Sequence, residues 1–236
     1  MIKEEKRTHD KFYLEKKEVK VKQYFEEIVE IIGNKENKNY IDIGCSNGSF
    51  LSFLQKNVGS NSQLVGLDID SELINYCKDN NKNIDFYVHD ISKKAPDKLN
   101  GKFDYVTLLG VHNIFDDLDP IIKSCKSFLN ESGKLIIFGA FTTSNYDLIA
   151  RVRIPGKDHL ETGFNRHSLK SIKDISYQNQ LTEFNVQEFH MRSKIEKTND
   201  PLRSYHSHFF ENDINNSVCC NGVGLLVNQF LLTISK

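Results

Sequence analysis

The segment Tyr40-Ile-Asp-Ile-Gly-Cys-Ser-Asn-Gly-Ser-Phe-Leu51 constrains this chain more than any other. A short apolar run, broken by the acid Asp42, meets a polar turn bracketed by Gly44 and Gly48. From Ser49 to Asn57 the apolar positions are Phe50, Leu51, Phe53 and Leu54, at helical spacing. The order reads as strand, tight turn, helix. Glycine allows close backbone approach to a ligand, and a helix opening after such a turn offers its unpaired N–H groups to it. The spacing is Gly44-x-x-x-Gly48, not the GxGxxG of a dinucleotide turn. A carboxylate at Asp42 suits a cationic amino group and repels a pyrophosphate.

The alternation continues. Leu64 to Ile69 reads as a strand, and Ser71 is expected to cap a helix reaching about Asp79, with Glu72 in its first turn. Ile84 to Val88 and Phe103 to Leu109 are further strands. Pro120 to Leu129 is a helix with Asp116 and Asp117 expected at its start, and Lys134 to Ala140 is a strand after a turn at Ser132–Gly133. This pattern predicts an α/β fold with a mostly parallel sheet and helices on both faces. Residues 1–38 are expected to form a helical N-terminal segment, because Tyr24, Phe25, Ile28, Val29, Ile31 and Ile32 recur at helical spacing before a stop at Gly33–Asn34. Residues 39–140 form the expected core. Later, His167 to Gln178 reads as a helix, and Glu183 to Met191 and Val223 to Ile234 as long strands. Two long polar stretches, 141–166 and 192–222, interrupt the pattern as insertions, within a single domain spanning 1–236.

Composition excludes several classes. Hydrophobic residues make up 39 %, charged residues 27 %, and the formal net charge is -1, as in ordinary globular proteins and without the basic excess of a nucleic-acid binder. No apolar run approaches the roughly 20 residues that span a bilayer. The charged N-terminus lacks the apolar stretch of a secretory signal, so the expected location is cytoplasmic, with no membrane insertion and no nucleic-acid partner. The five cysteines (Cys45, Cys77, Cys125, Cys219 and Cys220) contain no CxxC pair, which suits free thiols rather than a disulfide framework or a zinc site. His206 and His208 have metal-ligand character but no identifiable third ligand, and no metal is expected.

The glycine turn resembles the first motif of the class I S-adenosylmethionine-dependent methyltransferases, acidic-x-Gly-x-Gly-x-Gly, with Asp42, Gly44, Ser46 and Gly48 at those positions. Ser46 replaces the middle glycine. Leu64-Val-Gly-Leu-Asp-Ile-Asp70 resembles the second strand, and Val88-His-Asp-Ile91 the third-strand end. The resemblance implies a Rossmann-like, doubly wound sheet with a C-terminal antiparallel strand and both insertions on the ligand side. It implies S-adenosylmethionine as cofactor, with S-adenosylhomocysteine as product. Asp42, Gly44, Cys45, Asn47 and Gly48 would then lie against the cofactor's amino-acid part. Asp68 would bind the ribose hydroxyls, Ile69 the adenine face, and Asp90, beside Ile91, the adenine amino group. Leu109 and Gly110 would pass beneath the methionine part.

The loop Leu109-Gly-Val-His-Asn-Ile-Phe-Asp-Asp117 should then face the acceptor, through His112 and Asn113. His112 is the expected general base for a hydroxyl acceptor, since an unperturbed imidazole titrates near 6.5. An anionic acceptor needs no base. The insertions bring Arg151, Arg153 and His159, and then Tyr205, His206 and His208, as expected acceptor contacts; arginine suits carboxylate and phosphate. The His112 loop, Gly163-Phe-Asn-Arg-His-Ser168 and Asn221-Gly-Val-Gly-Leu-Leu226 are loosely similar to methyltransferases of bacterial capsular and surface polysaccharide synthesis, including those that O-methylate a phosphoramidate. The expected acceptor is therefore a small molecule or glycan precursor. No Asn-Pro-Pro-Tyr segment of a DNA-base enzyme follows the fourth strand. A nicotinamide-dependent oxidoreductase and a non-catalytic cofactor-binding subunit are the alternatives. Oligomeric state is open.

Overall fold

The computed structural model describes residues 3–6, 21–33, 36–192, 195, 206–209, 217–220 and 226–236. The first elements are β1 (Lys3–Lys6), α1 (Gln23–Ile32), β2 (Asn39–Ile43), α2 (Ser49–Gln55), β3 (Gln63–Asp68), α3 (Ser71–Asn80), β4 (Asp85–Val88) and β5 (Phe103–Leu109). There follow α4 (Asp119–Phe128), β6 (Leu129–Phe141), β7 (Val152–Arg153), β8 (His159–Thr162), α5 (Leu169–Gln178), β9 (Glu183–Phe189), β10 (His206–Phe209), β11 (Ser217–Cys220) and β12 (Leu226–Ser235).

The main sheet runs β10-β11-β12-β6-β5-β2-β3-β4, with β9 paired to β12. Strands β2 to β6 are parallel, and β12 is antiparallel to both β6 and β9. The chain winds outward from β2 in both directions, through β3 and β4 on one side and β5 and β6 on the other. The switch point, where open α/β sheets bind their ligands, therefore lies at the carboxyl end of β2.

Side chains alternate along each strand into two cores. Ile41, Ile43, Val65 and Leu67 pack with α4 and α5 residues such as Ile121, Ile122 and Ile172. Tyr40 and Leu64 pack with Phe25, Ile28, Leu51, Leu54 and Ile74 from α1, α2 and α3. Both faces are covered, which is why these strands read as nearly continuous apolar runs.

Several expected boundaries move. The N-terminal segment is not helical throughout: Lys3–Lys6 forms a strand paired in parallel with β8, Lys3 opposite His159 and Lys6 opposite Thr162. Lys-Glu-Glu-Lys has no apolar face to reveal this. The cap of α3 is Asp70, not Ser71; its carboxylate accepts from Glu72 N at 2.7 Å and Leu73 N at 3.2 Å. Helix α4 starts at Asp119, and Asp117 only accepts the Asp119 N–H at 2.9 Å. Ser132–Gly133 lies inside β6, which begins at Leu129. The β5–β6 register shifts there, and a Cβ on Gly133 would stand 2.7 Å from the Phe103 carbonyl oxygen. The insertions are not plain loops. β7 and β8 join β1 in a small separate sheet, and β10 and β11 extend the main one. Among the described residues no helix is long and apolar enough to cross a membrane.

Candidate functional site

The β2–α2 turn takes left-handed backbone at alternate residues: Gly44 at φ 70°, Ser46 at 51° and Gly48 at 74°. A serine in that region costs on the order of 1–2 kcal/mol. The end of β3 holds the turn. Leu67 O accepts from Gly44 N at 2.7 Å and Cys45 N at 2.9 Å, and an Asp68 carboxylate oxygen accepts from Ser46 N at 2.8 Å. The other Asp68 oxygen accepts from Asp70 N at 3.0 Å. Asn47 is buried and accepts from Ser49 N at 3.3 Å. Cys45 is buried beneath the turn, and the Cys77 thiol lies 3.2 Å from Ser46 O. A Cβ on Gly44 would stand 2.4 Å from a Val111 methyl, so the turn packs directly on the loop after β5.

Three acids cluster at the carboxyl ends of adjacent strands: Asp42 is the penultimate residue of β2, Asp68 the last of β3, and Asp90 lies two residues past β4. Asp42 is buried and accepts from Thr107 Oγ1 at 2.7 Å. Burial pushes its carboxyl up to about 7; the Thr107 bond and Lys22 oppose that rise, and neighbouring Asp68 adds to it. Asp90 accepts from Ser92 N at 2.9 Å and Ser92 Oγ at 2.7 Å. Burial tends to raise its pKa, but the Ser92 bonds with Lys93 and Lys6 outweigh it and hold the group below the usual carboxylate range. Between these acids, Ile69 is 60 % exposed and Val88 54 % exposed. Ile91 is buried. The Ser46 hydroxyl is buried with no hydrogen-bond partner among the described residues. Carboxylates, exposed apolar faces and an orphaned hydroxyl fit a ligand that carries a cationic amino acid, a ribose and a base.

The loop after β5 is more enclosed than expected. Leu109 is half-buried, and Gly110 (φ 77°) donates its N–H to Phe138 O at 2.8 Å. His112 is fully buried, not poised at an open pocket. Its ring stacks on Phe141 with centroids 4.4 Å apart and planes 6° apart, and its Nε2 lies 3.2 Å from Ala140 O. Its Nδ1 has no hydrogen-bond partner among the described residues. Burial drives the imidazole down to about 3; the Ala140 contact opposes this and His167 adds to it. The ring occupies space left by Gly139, where a Cβ would stand 2.2 Å from Cε1. Asn113 is buried, and its carbonyl accepts from Asn165 N at 3.0 Å.

The expected cationic cluster is only partly assembled. Arg151 directs its guanidinium ends at the Asp116 carboxylate and its Nε at Glu4 Oε2, 3.0 Å away. That pairing neutralises it and ties β1 to the loop after β5. Arg153 is exposed, in β7 opposite Leu160. His159 lies 3.0 Å from Asp158 and 3.5 Å from Glu5. Tyr205 lies outside the described residues. His206 and His208 sit in β10 opposite Cys220 and Val218. Among the described residues no group of three or more His, Cys, Asp or Glu could hold a metal.

Sequence reasoning missed Asn165. It donates to Phe115 O at 2.9 Å and Asp116 Oδ1 at 2.8 Å, and accepts from Ala150 N at 3.0 Å. With His167, whose Nε2 lies 2.9 Å from Phe115 O, it staples the loop after β5 to the first insertion. The only signal was the polar run Asn165, Arg166, His167 and Ser168 after Gly163-Phe164. A cavity of about 310 Å³ opens beside this staple, lined by Glu4, Lys6, Phe115, Asp116, Asp117 and Arg151 among others.

A family profile described as a methyltransferase domain matches residues 34–154, just over half of the chain. Protein 235L of Invertebrate iridescent virus 6, whose name makes it a candidate methyltransferase, is 29 % identical over 143 residues, 60 % of this chain. The match spans 52 % of that viral protein, so this chain covers about half of its length. The YcgJ protein from Bacillus subtilis has the same fold, with a TM-score of 0.60 at 11 % identity, over 90 % of this chain and 97 % of that one. An S-adenosylmethionine-dependent methyltransferase from Methanosarcina mazei aligns with a TM-score of 0.57 at 16 % identity, over 87 % of this chain and 96 % of that one. The sheet order, the acid-ended strands around the switch point and the profile match agree: this chain belongs to the methyltransferase-domain family.

Proposed function

We propose that this methyltransferase binds S-adenosylmethionine at the β2–α2 turn and transfers the methyl group to an oxygen of a small polar acceptor. The observation that carries the reading is the convergence of Asp42, Asp68 and Asp90 on adjacent strand ends beside a left-handed turn. Asp42 would meet the cofactor's ammonium, Asp68 its ribose and Asp90 its adenine. Gly44, Cys45, Asn47 and Gly48 shape the turn, Ile69 and Ile91 flank the base, and Leu109 backs the methionine part. The bound cofactor supplies a methyl group already activated on sulfonium. The protein's task is then to align an acceptor lone pair and keep water out.

The buried, neutral imidazole of His112 supports a positioning role over that of a solvent-facing base. An imidazole with a pKa of about 3 abstracts a hydroxyl proton poorly near pH 7. This favours an acceptor oxygen that is already anionic, as in a phosphoramidate or a phosphorylated capsule precursor. Asn113, Arg153 and His159, and Tyr205, His206 and His208 of the second insertion, remain proposed acceptor contacts, with Arg151 acting through the loop it holds. The test is transfer of labelled methyl from S-adenosylmethionine to a panel of phosphoramidates, phosphorylated sugars and neutral sugars. Labelling of anionic oxygens is the expected result. Labelling of neutral hydroxyls alone would contradict the acceptor assignment.

A further inference from the structure

We propose that the 310 Å³ cavity beside the loop after β5 holds the acceptor, and that the acceptor is a small zwitterion whose anionic group meets Lys6 and whose amino group meets the Asp116–Asp117 lip. This deepens, and rests on, the methyltransferase reading.

The lining carries Glu4, Asp116 and Asp117 against Lys6 and Arg151, one more carboxylate than cations. Arg151 is engaged on both sides, by Asp116 at its guanidinium ends and by Glu4 at Nε. Its Nη1 also donates to Ala150 O at 3.1 Å, which leaves little of the guanidinium for a ligand anion. Arg151, Asp116 and Glu4 together still leave one negative charge. Asp117 adds another: it is exposed, and its assigned contact is one backbone N–H from Asp119. Lys6 is the remaining cation. It is exposed, its ammonium rests 4.5 Å from the centre of the Phe115 ring, and its charge helps to lower the pKa of both Asp90 and Asp116.

A purely anionic acceptor would therefore enter a cavity of net negative lining, and like charges disfavour it. A purely cationic acceptor would offset the net charge of the lining but set a like charge beside Lys6. A molecule with both charges satisfies both walls, while Phe115 supplies an apolar floor. The position fits the reaction, because Phe115 and Asp116 of the lining belong to the loop after β5, which packs through Val111 against Gly44 of the β2–α2 turn. Lys6 reaches the cavity because β1 pairs with β8, so the N-terminal strand belongs to the acceptor site.

The experiment is calorimetric titration of the protein, saturated with S-adenosylhomocysteine, with phosphoethanolamine, glucosamine 6-phosphate, serine, ethanolamine and inorganic phosphate. At least one zwitterion should bind about tenfold or more tightly than phosphate or ethanolamine. Lys6→Ala and Asp117→Asn should each weaken it about fivefold or more, with Lys6→Arg retaining most of the affinity. Thermal melts should report that all three variants fold, and Asp117→Asn should leave S-adenosylhomocysteine affinity unchanged. Phosphate binding as tightly as every zwitterion, unchanged affinity in both variants, or no zwitterion binding to a protein that binds S-adenosylhomocysteine would each overturn this assignment. Failure to bind S-adenosylhomocysteine would instead overturn the reading beneath it.

Discussion

The Thr107 hydroxyl donates a 2.7 Å hydrogen bond to the Asp42 carboxylate across the β2–β5 pair, where Asp42 and Thr107 stand opposite each other. That bond is a partial compensation. Burial still lifts Asp42 to about 7, from 3.8, so the folded, ligand-free protein keeps a proton there that the unfolded chain releases.

The consequence is a pH-dependent stability cost. Between about pH 4 and 7 the folded state binds more protons at this site, so stability falls as pH rises and the full cost is present above 7. At about 1.4 kcal/mol for each tenfold change in proton affinity, the cost is at most about 4 kcal/mol. Asp42→Asn should therefore melt higher than wild type at pH 8, with the gap closing by pH 4. The same variant should bind S-adenosylmethionine more weakly, because it removes the charge proposed to meet the ammonium. Thermal melts from pH 4 to 9 check the first part and calorimetry the second. A gap independent of pH would refute the assignment.

The contact between His112 and Gly139 makes a second prediction. A Cβ on Gly139 would stand 2.2 Å from the imidazole, so Gly139→Ala should cost about 1–3 kcal/mol by overpacking. Truncating the ring should relieve the clash. In a double-mutant cycle, the cost of Gly139→Ala should shrink in a His112→Ala background. Additive losses in denaturant melts would show that the ring and Gly139 do not press on each other. The positioning role also predicts that wild-type kcat at saturating cofactor shows no ionisation near pH 6.5, which a rate profile would reveal.

Arg151 should behave as a clamp rather than as a ligand-binding arginine. Its partners are about half exposed, Glu4 at 49 % and Asp116 at 51 %, so Arg151→Ala should cost only about 1 kcal/mol. The local effect should be larger: amide hydrogen exchange in residues 3–6 should accelerate while the core strands stay protected. Arg151→Lys should not restore protection, since an ammonium cannot hold both carboxylates as the guanidinium fork does. Unchanged exchange in β1 would contradict the clamp.

The proposed cofactor half of the site was legible as a cluster because its signals are local. Gly44 and Asp68 each follow a short apolar run directly and Asp90 follows one by a single intervening residue, and the sheet brings those run ends together without further instruction. Ser46 could be read as a departure from the family's glycine, and its positive φ shows why glycine suits the position. The acceptor half was not legible in the same way. The type of residue at Arg151 suggested anion binding, but its carboxylate partners come from the N-terminal strand and from the loop after β5. His112 has a useful intrinsic pKa, but burial against Phe141 and Ala140 removes it. Strand β1 carries no apolar alternation, and its partner at His159 lies far along the chain. Such non-local pairings leave no periodicity to read.

Every proposal above rests on an S-adenosylmethionine site at the β2–α2 turn, beside the acid that ends β3 and the acid just past β4. Calorimetric titration of wild-type protein and Asp68→Ala with S-adenosylhomocysteine, beside a titration with NADH, tests it most directly. The expected result is one S-adenosylhomocysteine per chain, affinity at least about tenfold weaker in Asp68→Ala, and no binding of NADH. Tight NADH binding without S-adenosylhomocysteine binding, or equal affinity in the variant, would contradict it.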